Sequence, residues 1–170
     1  PELSVRRLRV IDHDGRVALE LPQVEVAVAW SSLLTRRLQL QRLEIIRPEL
    51  DLRRERDGRV FIAGLQVNAP GGGDAGFGDF VLDQRQVLIR DARLVWTDAQ
   101  REAPALTLER VNLRLENSGK THRFALLASP PAAYSANLDV RGDLSGRGFK
   151  RLEDWRGRLY LALDEADLAV

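Results

Sequence analysis

The sequence holds no cysteine and no methionine. Without cysteine there are no disulfides, no thiolate metal ligands and no thiol nucleophile. The missing methionine carries a different message. The chain opens on Pro1-Glu2-Leu3 in the middle of an alternating pattern, which sets the expectation of a segment of a longer protein. Lysine is confined to Lys120 and Lys150, and histidine to His13 and His122. A formal net charge of +1 lacks the basic excess of a general nucleic-acid binder, so no nucleic acid is expected as a partner. No run approaches the roughly 18 apolar residues that span a bilayer, and none of these residues is expected to form a signal peptide. Any membrane anchor is expected outside these residues.

What is present suits a folded domain. Hydrophobic residues make up 44% and charged residues 30% of the chain, enough to build a core and to solvate its surroundings. We read residues 1–170 as one β-rich module. The dominant pattern is period-two alternation, the mark of strands with one buried face. Val24, Val26 and Val28 alternate with Glu25 and Ala27; Leu50 and Leu52 with Glu49, Asp51 and Arg53; Leu159, Leu161 and Leu163 with Arg158, Tyr160 and Ala162. Asp14-Gly15 and Asp57-Gly58 fall where hairpin turns are needed. Leu138, Val140 and Leu144 form a further strand after the Pro130-Pro131 break. Roughly ten short strands are expected, mostly antiparallel, because the loops are too short for crossover helices. Short helices are expected at Trp30–Leu34, Phe77–Gln84 and Phe149–Trp155, two or three in all. The Pro70-Gly71-Gly72-Gly73 loop separates sub-blocks of about residues 1–68 and 77–170.

One octet recurs. Leu3–Val10, Leu38–Ile45 and Leu106–Leu113 match, with a looser copy at Val87–Leu94. Apolar residues sit at positions one and three, then at six and eight. A regular strand sends those two pairs to opposite faces. An extra residue at position five (Arg7, Arg42, Arg110 or Asp91) returns them to one face if it forms a β-bulge. Repeated bulges curve a sheet. The expectation is a curved sheet with one continuous apolar face.

Residues with chemical potential are few. Neither histidine has a partner at metal-ligand spacing. Asp12-His13-Asp14-Gly15 lacks the later ligands of a calcium loop and suits a turn better. Asp164, Glu165 and Asp167 read as a solvated edge, and Ser31-Ser32 as a helix cap. Gly71-Gly72-Gly73 lacks the lysine and helix of a phosphate loop. Trp30 and Trp155 suit plugs at the open end of a half-sandwich. Arg36-Arg37 and Arg53-Arg54 read as scattered solvent-facing charge rather than lipid-phosphate ligands. Neither an enzyme nor a cofactor is expected.

Larger stretches carry a resemblance. Val26–Leu34, Leu40–Ile45, Arg47–Leu50 and Arg54–Arg59 resemble the N-terminal part of AsmA-like proteins. Val87–Asp98, Val111–Gly119 and Trp155–Tyr160 resemble their YhdP branch. The resemblance implies a periplasmic region of a Gram-negative envelope protein, anchored in the inner membrane, built from repeating β-groove units that conduct phospholipid between inner and outer membranes and support the permeability barrier. Phospholipid acyl chains are the expected partner, with other envelope proteins a second. On these residues the groove lining is expected at Leu38, Leu40, Leu43, Ile45, Leu50, Leu52, Val60 and Ile62, with Glu49, Asp51 and Arg53 facing solvent. The rival reading is a closed β-sandwich serving protein contact in the envelope; a hydrolase or carbohydrate binder has less support.

Overall fold

The computed structural model describes residues 2–11, 17–28, 40–66, 75–132, 137–147 and 154–164. Eleven strands share a single sheet: β1 (Glu2–Ile11), β2 (Val17–Val28), β3 (Leu40–Ile46), β4 (Glu49–Arg54), β5 (Val60–Ile62), β6 (Leu65–Gln66), β7 (Gln86–Asp98), β8 (Ala103–Ser118), β9 (Thr121–Ser129), β10 (Asn137–Ser145) and β11 (Arg156–Asp164). Among the described residues there is one helix, α1 (Ala75–Asp83), which precedes β7. The sheet runs β1-β2-β3-β7-β8-β9-β10-β11, with β4 joined to β7 and the β5–β6 hairpin joined to β4. This is the expected open, mostly antiparallel sheet. The helices expected around Trp30 and Phe149 lie outside the described residues, as do the Asp14-Gly15 turn, His13, Ser31-Ser32, Arg36-Arg37, the Gly71–Gly73 loop, Glu165 and Asp167.

One expectation about connections fails. β3 and β4 both pair with β7 in parallel, so the chain after β4 returns to the other end of the sheet before β7 begins. The stretch holding β5, β6 and α1 supplies that crossover. Loop length misled because the crossover is interrupted by a hairpin and is not one helix. Strands of both sub-blocks thus pair in one sheet.

The turns follow local chemistry. Gly58 takes φ +85° between β4 and β5, and the Asp57 carboxylate accepts the Arg59 N–H. Ala63 and Gly64 both take positive φ in the two-residue turn of the β5–β6 hairpin, the geometry that matches strand twist.

The octet's phase slip is visible in the backbone. Arg7, Asp91 and Arg110, position five in three octets, adopt left-handed conformations with φ +57°, +52° and +50° in the middle of strands. Arg42 does not. Its place is taken by Arg47, at φ +52° between β3 and β4. The octet there is Leu43–Leu50, five residues on, hidden in the sequence because Pro48 occupies its sixth position. Near Arg42 the ladder does slip, with Ala27 opposite Arg42 and Val28 opposite Leu40.

These residues lie in a line. Arg7 falls opposite Pro22, since Arg6 pairs Gln23 and Leu8 pairs Leu21. Pro22 lies next to Arg47, beyond the Gln23–Ile46 pair. Arg47 lies beside Asp91, bracketed by Ile46–Arg90 and Glu49–Arg93. Asp91 and Arg110 flank the Ala92–Val111 pair, one on each side of it, in the irregular stretch of β7–β8. A crease thus crosses five neighbouring strands. The side chains just after it are among the most buried of the described residues: Pro48, Ala92 (1% exposed) and Val111 (3%). No second sheet covers them among the described residues. The sheet therefore folds toward its apolar face along the crease.

Candidate functional site

The crease divides the apolar face into two walls of a trough. On the near wall, Val5, Val24, Val26, Leu43, Ile45, Val87, Ile89, Leu113, Leu115, Phe124, Leu126, Val140 and Leu144 share one face by register. On the far wall, Leu50, Leu52, Leu94, Trp96, Leu106 and Leu108 do the same. Two clusters line the bottom. Leu21, Val24 and Ala63 form one, with Ile45, Leu50 and Ile62 against them. Ala92, Leu108, Val111 and Ala128 form the other, with Ile89, Leu94, Leu126 and Leu138. The far wall is the shorter, because β9 ends at Ser129 and β10 and β11 lie wholly on the near side.

The opposite face is charged. Glu44 is buried there between Arg42 and Arg90 and bonded to both. Burial alone pushes its carboxyl up, but the hydrogen bonds from Arg90 and Arg42 outweigh that and hold it below the ordinary value. Glu49, Asp51 and Arg53 are exposed on this face as expected.

Polar groups edge the rims of both walls, where the strands end. At the far end, Asp98 is buried and takes a two-pronged hydrogen bond from Arg54. The Arg54 bond, helped by the amides of Arg101 and Gln100, holds the Asp98 carboxyl below its ordinary value. The Arg54 guanidinium also lies 6.0 Å from the centroid of the Trp96 ring. Arg54 is therefore not scattered solvent charge; it occupies the inward phase after Leu50 and Leu52. Arg53 does stay outside, paired with Glu55 at 2.8 Å.

At the near end, the Asn117 amide donates to the carbonyls of Val81 (3.1 Å) and Gln84 (2.7 Å), closing the C-terminal end of α1. Its oxygen is left to accept from Nδ1 of His122 at 2.7 Å. The buried Gln84 side chain accepts the Leu40 N–H at 2.7 Å. Trp155 stacks on His122 with ring centroids 4.9 Å apart, and its indole fills the space a side chain at Gly146 would need. Expected as an end plug, Trp155 stands at the end of the sheet.

Sequence reasoning missed Arg54, Asp98, Gln84, Asn117 and His122. For all but Gln84 a signal existed: each continues an inward period-two phase (Leu94, Trp96, Asp98; Leu113, Leu115, Asn117) with a polar residue at the strand end. Of the eight residues expected to line a groove, Leu38 lies outside the described residues. Leu43, Ile45, Leu50 and Ile62 pack together at the trough bottom. Leu52 and Val60 are half-buried on β4 and β5, and Leu40 is buried at the near end. The longer stretch of apolar face, on β7 to β11, was not among the expected lining. There the edge strand β11 presents Leu159 (69% exposed), Leu161 (62%) and Leu163 (45%).

A separate cleft of about 1190 Å³ opens at the near end, lined by Leu40, Arg42, Leu82, Arg85, Glu116 and Arg123 among others. Arg42, Glu116 and Arg123 are each engaged in ion pairs, with Glu44, Arg114 and Asp143. Among the described residues no group of three or more His, Asp or Glu could hold a metal ion, and no helix is long and apolar enough to cross a membrane.

A family model described as YhdP protein matches residues 1–170. No curated protein and no solved structure matches.

Proposed function

The chain belongs to the YhdP family, and from that premise we propose that it is a non-enzymatic, lipid-handling segment of a cell-envelope protein. Its trough holds phospholipid acyl chains on their way between the inner and outer membranes, and it works in the periplasm. The observation that carries this reading is a single apolar face, continuous across the sheet and uncovered by a second sheet among the described residues. That face is most exposed at the edge strand β11.

The dimensions and chemistry suit the cargo. Each wall is five or six residues of β7 tall, about 15–20 Å at roughly 3.3 Å per residue. One leaflet's share of a bilayer's hydrocarbon is about 15 Å. Each methylene shielded from water contributes about 0.8 kcal/mol. With polar groups at both strand ends, acyl chains lie along the walls and headgroups project from the mouth. Contacts are spread over many aliphatic side chains, so no single residue dominates. The closed-sandwich alternative finds no second sheet among the described residues.

Native mass spectrometry of the purified protein tests the reading. Bound phospholipid is expected, and Leu126→Asp together with Leu94→Asp is expected to remove it while circular dichroism stays that of a β protein. A clean apo mass after incubation with phospholipid vesicles would sink the proposal.

A further inference from the structure

We propose that the crease is a hinge, across which the two walls of the trough swing to change the width of its mouth. A sheet bends most easily where its ladder bonds are fewest. Every strand pair that crosses the crease is interrupted there, β7–β8 keeping the single pair Ala92–Val111 between two shifts. The β1–β2 ladder skips Arg7 and Pro22. Parallel pairing of β3 with β7 stops at Ile46–Arg90, and that of β4 with β7 resumes at Glu49–Arg93. The β7–β8 register shifts twice between Ile89 and Leu94, and the β8–β9 register shifts between Glu109 and Asn112. Pro22 in β2 and Pro48 between β3 and β4 have no N–H to donate. The interruptions fall in line, so flexing there breaks few bonds; the other register shifts, at Val10/Ile11, Ala27/Val28 and Trp96/Asp98, lie near strand ends and share no line.

The left-handed residues set the resting angle, and a few bonds bridge the gap. Arg47 N–H donates to the Arg90 carbonyl at 2.8 Å, and Arg93 N–H to the Pro48 carbonyl at 3.0 Å. On β8 the bridge is a side chain. Asn112 Oδ1 accepts the Asp91 N–H at 3.2 Å, and its Nδ2 donates to the Arg110 carbonyl at 2.8 Å. Asn112 is exposed on the outer surface, so water can replace it when the hinge moves. It acts as a clasp, a positioning residue that holds the angle without touching the trough.

The hinge stands apart from the lipid reading, although its use in gating the mouth rests on that reading. Two measurements on the intact chain test it. In amide hydrogen exchange, Asp91, Ala92, Arg110 and Val111 are expected to exchange at least about tenfold faster than Val87, Ile89, Leu113 and Leu115 on the same strands. Asn112→Ala is expected to speed Asp91 about tenfold more and leave Leu115 unchanged. Because the chain has no cysteine, spin labels at Arg101→Cys and Lys120→Cys report the distance between the two ends of β8. A broad distribution is expected, broader still with Asn112→Ala. Protection as high at the crease as beside it, or a narrow distance insensitive to Asn112→Ala, overturns the hinge. Addition of dimyristoyl phosphatidylcholine is expected to narrow the distribution. A hinge that moves but ignores the lipid counts against the transport reading and leaves the hinge standing.

Discussion

Arg47→Gly is expected to be neutral or stabilising, although glycine in a sheet ordinarily destabilises. Arg47 is exposed and makes no ion pair among the described residues; what it contributes is its backbone, at φ +52°. A residue with a Cβ held left-handed loses roughly 1–2 kcal/mol, and glycine recovers it. Against that, glycine gives the unfolded chain more freedom, at a cost of about 1 kcal/mol. The net is between zero and about 1 kcal/mol of stabilisation. Two residues on, Glu49 is also exposed and lies in regular β4, paired in register with Arg93. Glu49→Gly has no strain to relieve and is expected to cost about 1 kcal/mol. The two variants should differ by about 1–2 kcal/mol. In urea unfolding, with m about 2 kcal/mol/M, that separates their midpoints by roughly 0.5–1 M. Arg47→Val supplies the opposite sign, because a β-branched residue at positive φ is strained further. Equal losses for Arg47→Gly and Glu49→Gly would refute a left-handed crease.

Three further outcomes are expected. Gly142→Val on β10 drives a side chain into the ring of Phe124, its cross-strand neighbour, and should lower stability by about 1–3 kcal/mol, read as a lower melting temperature. Asn117→Ala leaves the Gln84 carbonyl without its side-chain donor and the Val81 carbonyl with only the Gln84 N–H and should cost about 1–2 kcal/mol; exchange should accelerate in α1 and leave β11 unchanged. Glu44 and Asp98 have folded pKa values below their unfolded ones, so the unfolded chain takes up protons first as acid is added. Their contribution is full above about pH 4–5 and is lost as pH falls through the lower folded values. Glu44→Gln with Asp98→Asn should flatten stability against pH between about pH 5 and 2; an unchanged slope would show the pairs to be inert.

Part of the trough was legible one residue at a time. Leu113, Leu115 and Asn117 show how: their alternation marks the inward face, and the asparagine marks where it ends. The octet at Leu106 carries its bulge at Arg110 in plain sight. The octet at Leu43 was misplaced, because proline at its sixth position does not read as an inward apolar residue although Pro48 is fully buried. Arg54 was misjudged for the reason that charge at a strand end looks solvated until its partner, Asp98, is known to lie on the neighbouring strand.

The sequence by itself determined the strands, the inward face and the phase slip, because alternation and its interruption are local properties of a pleated chain. Only the tertiary structure decided that Arg7, Pro22, Arg47, Asp91 and Arg110 fall in one line. That alignment depends on register between strands, including the parallel pairing of β3 and β4 with β7, and register is fixed by contacts far apart in the chain. A single slipped phase bends one strand; slips brought side by side fold a sheet.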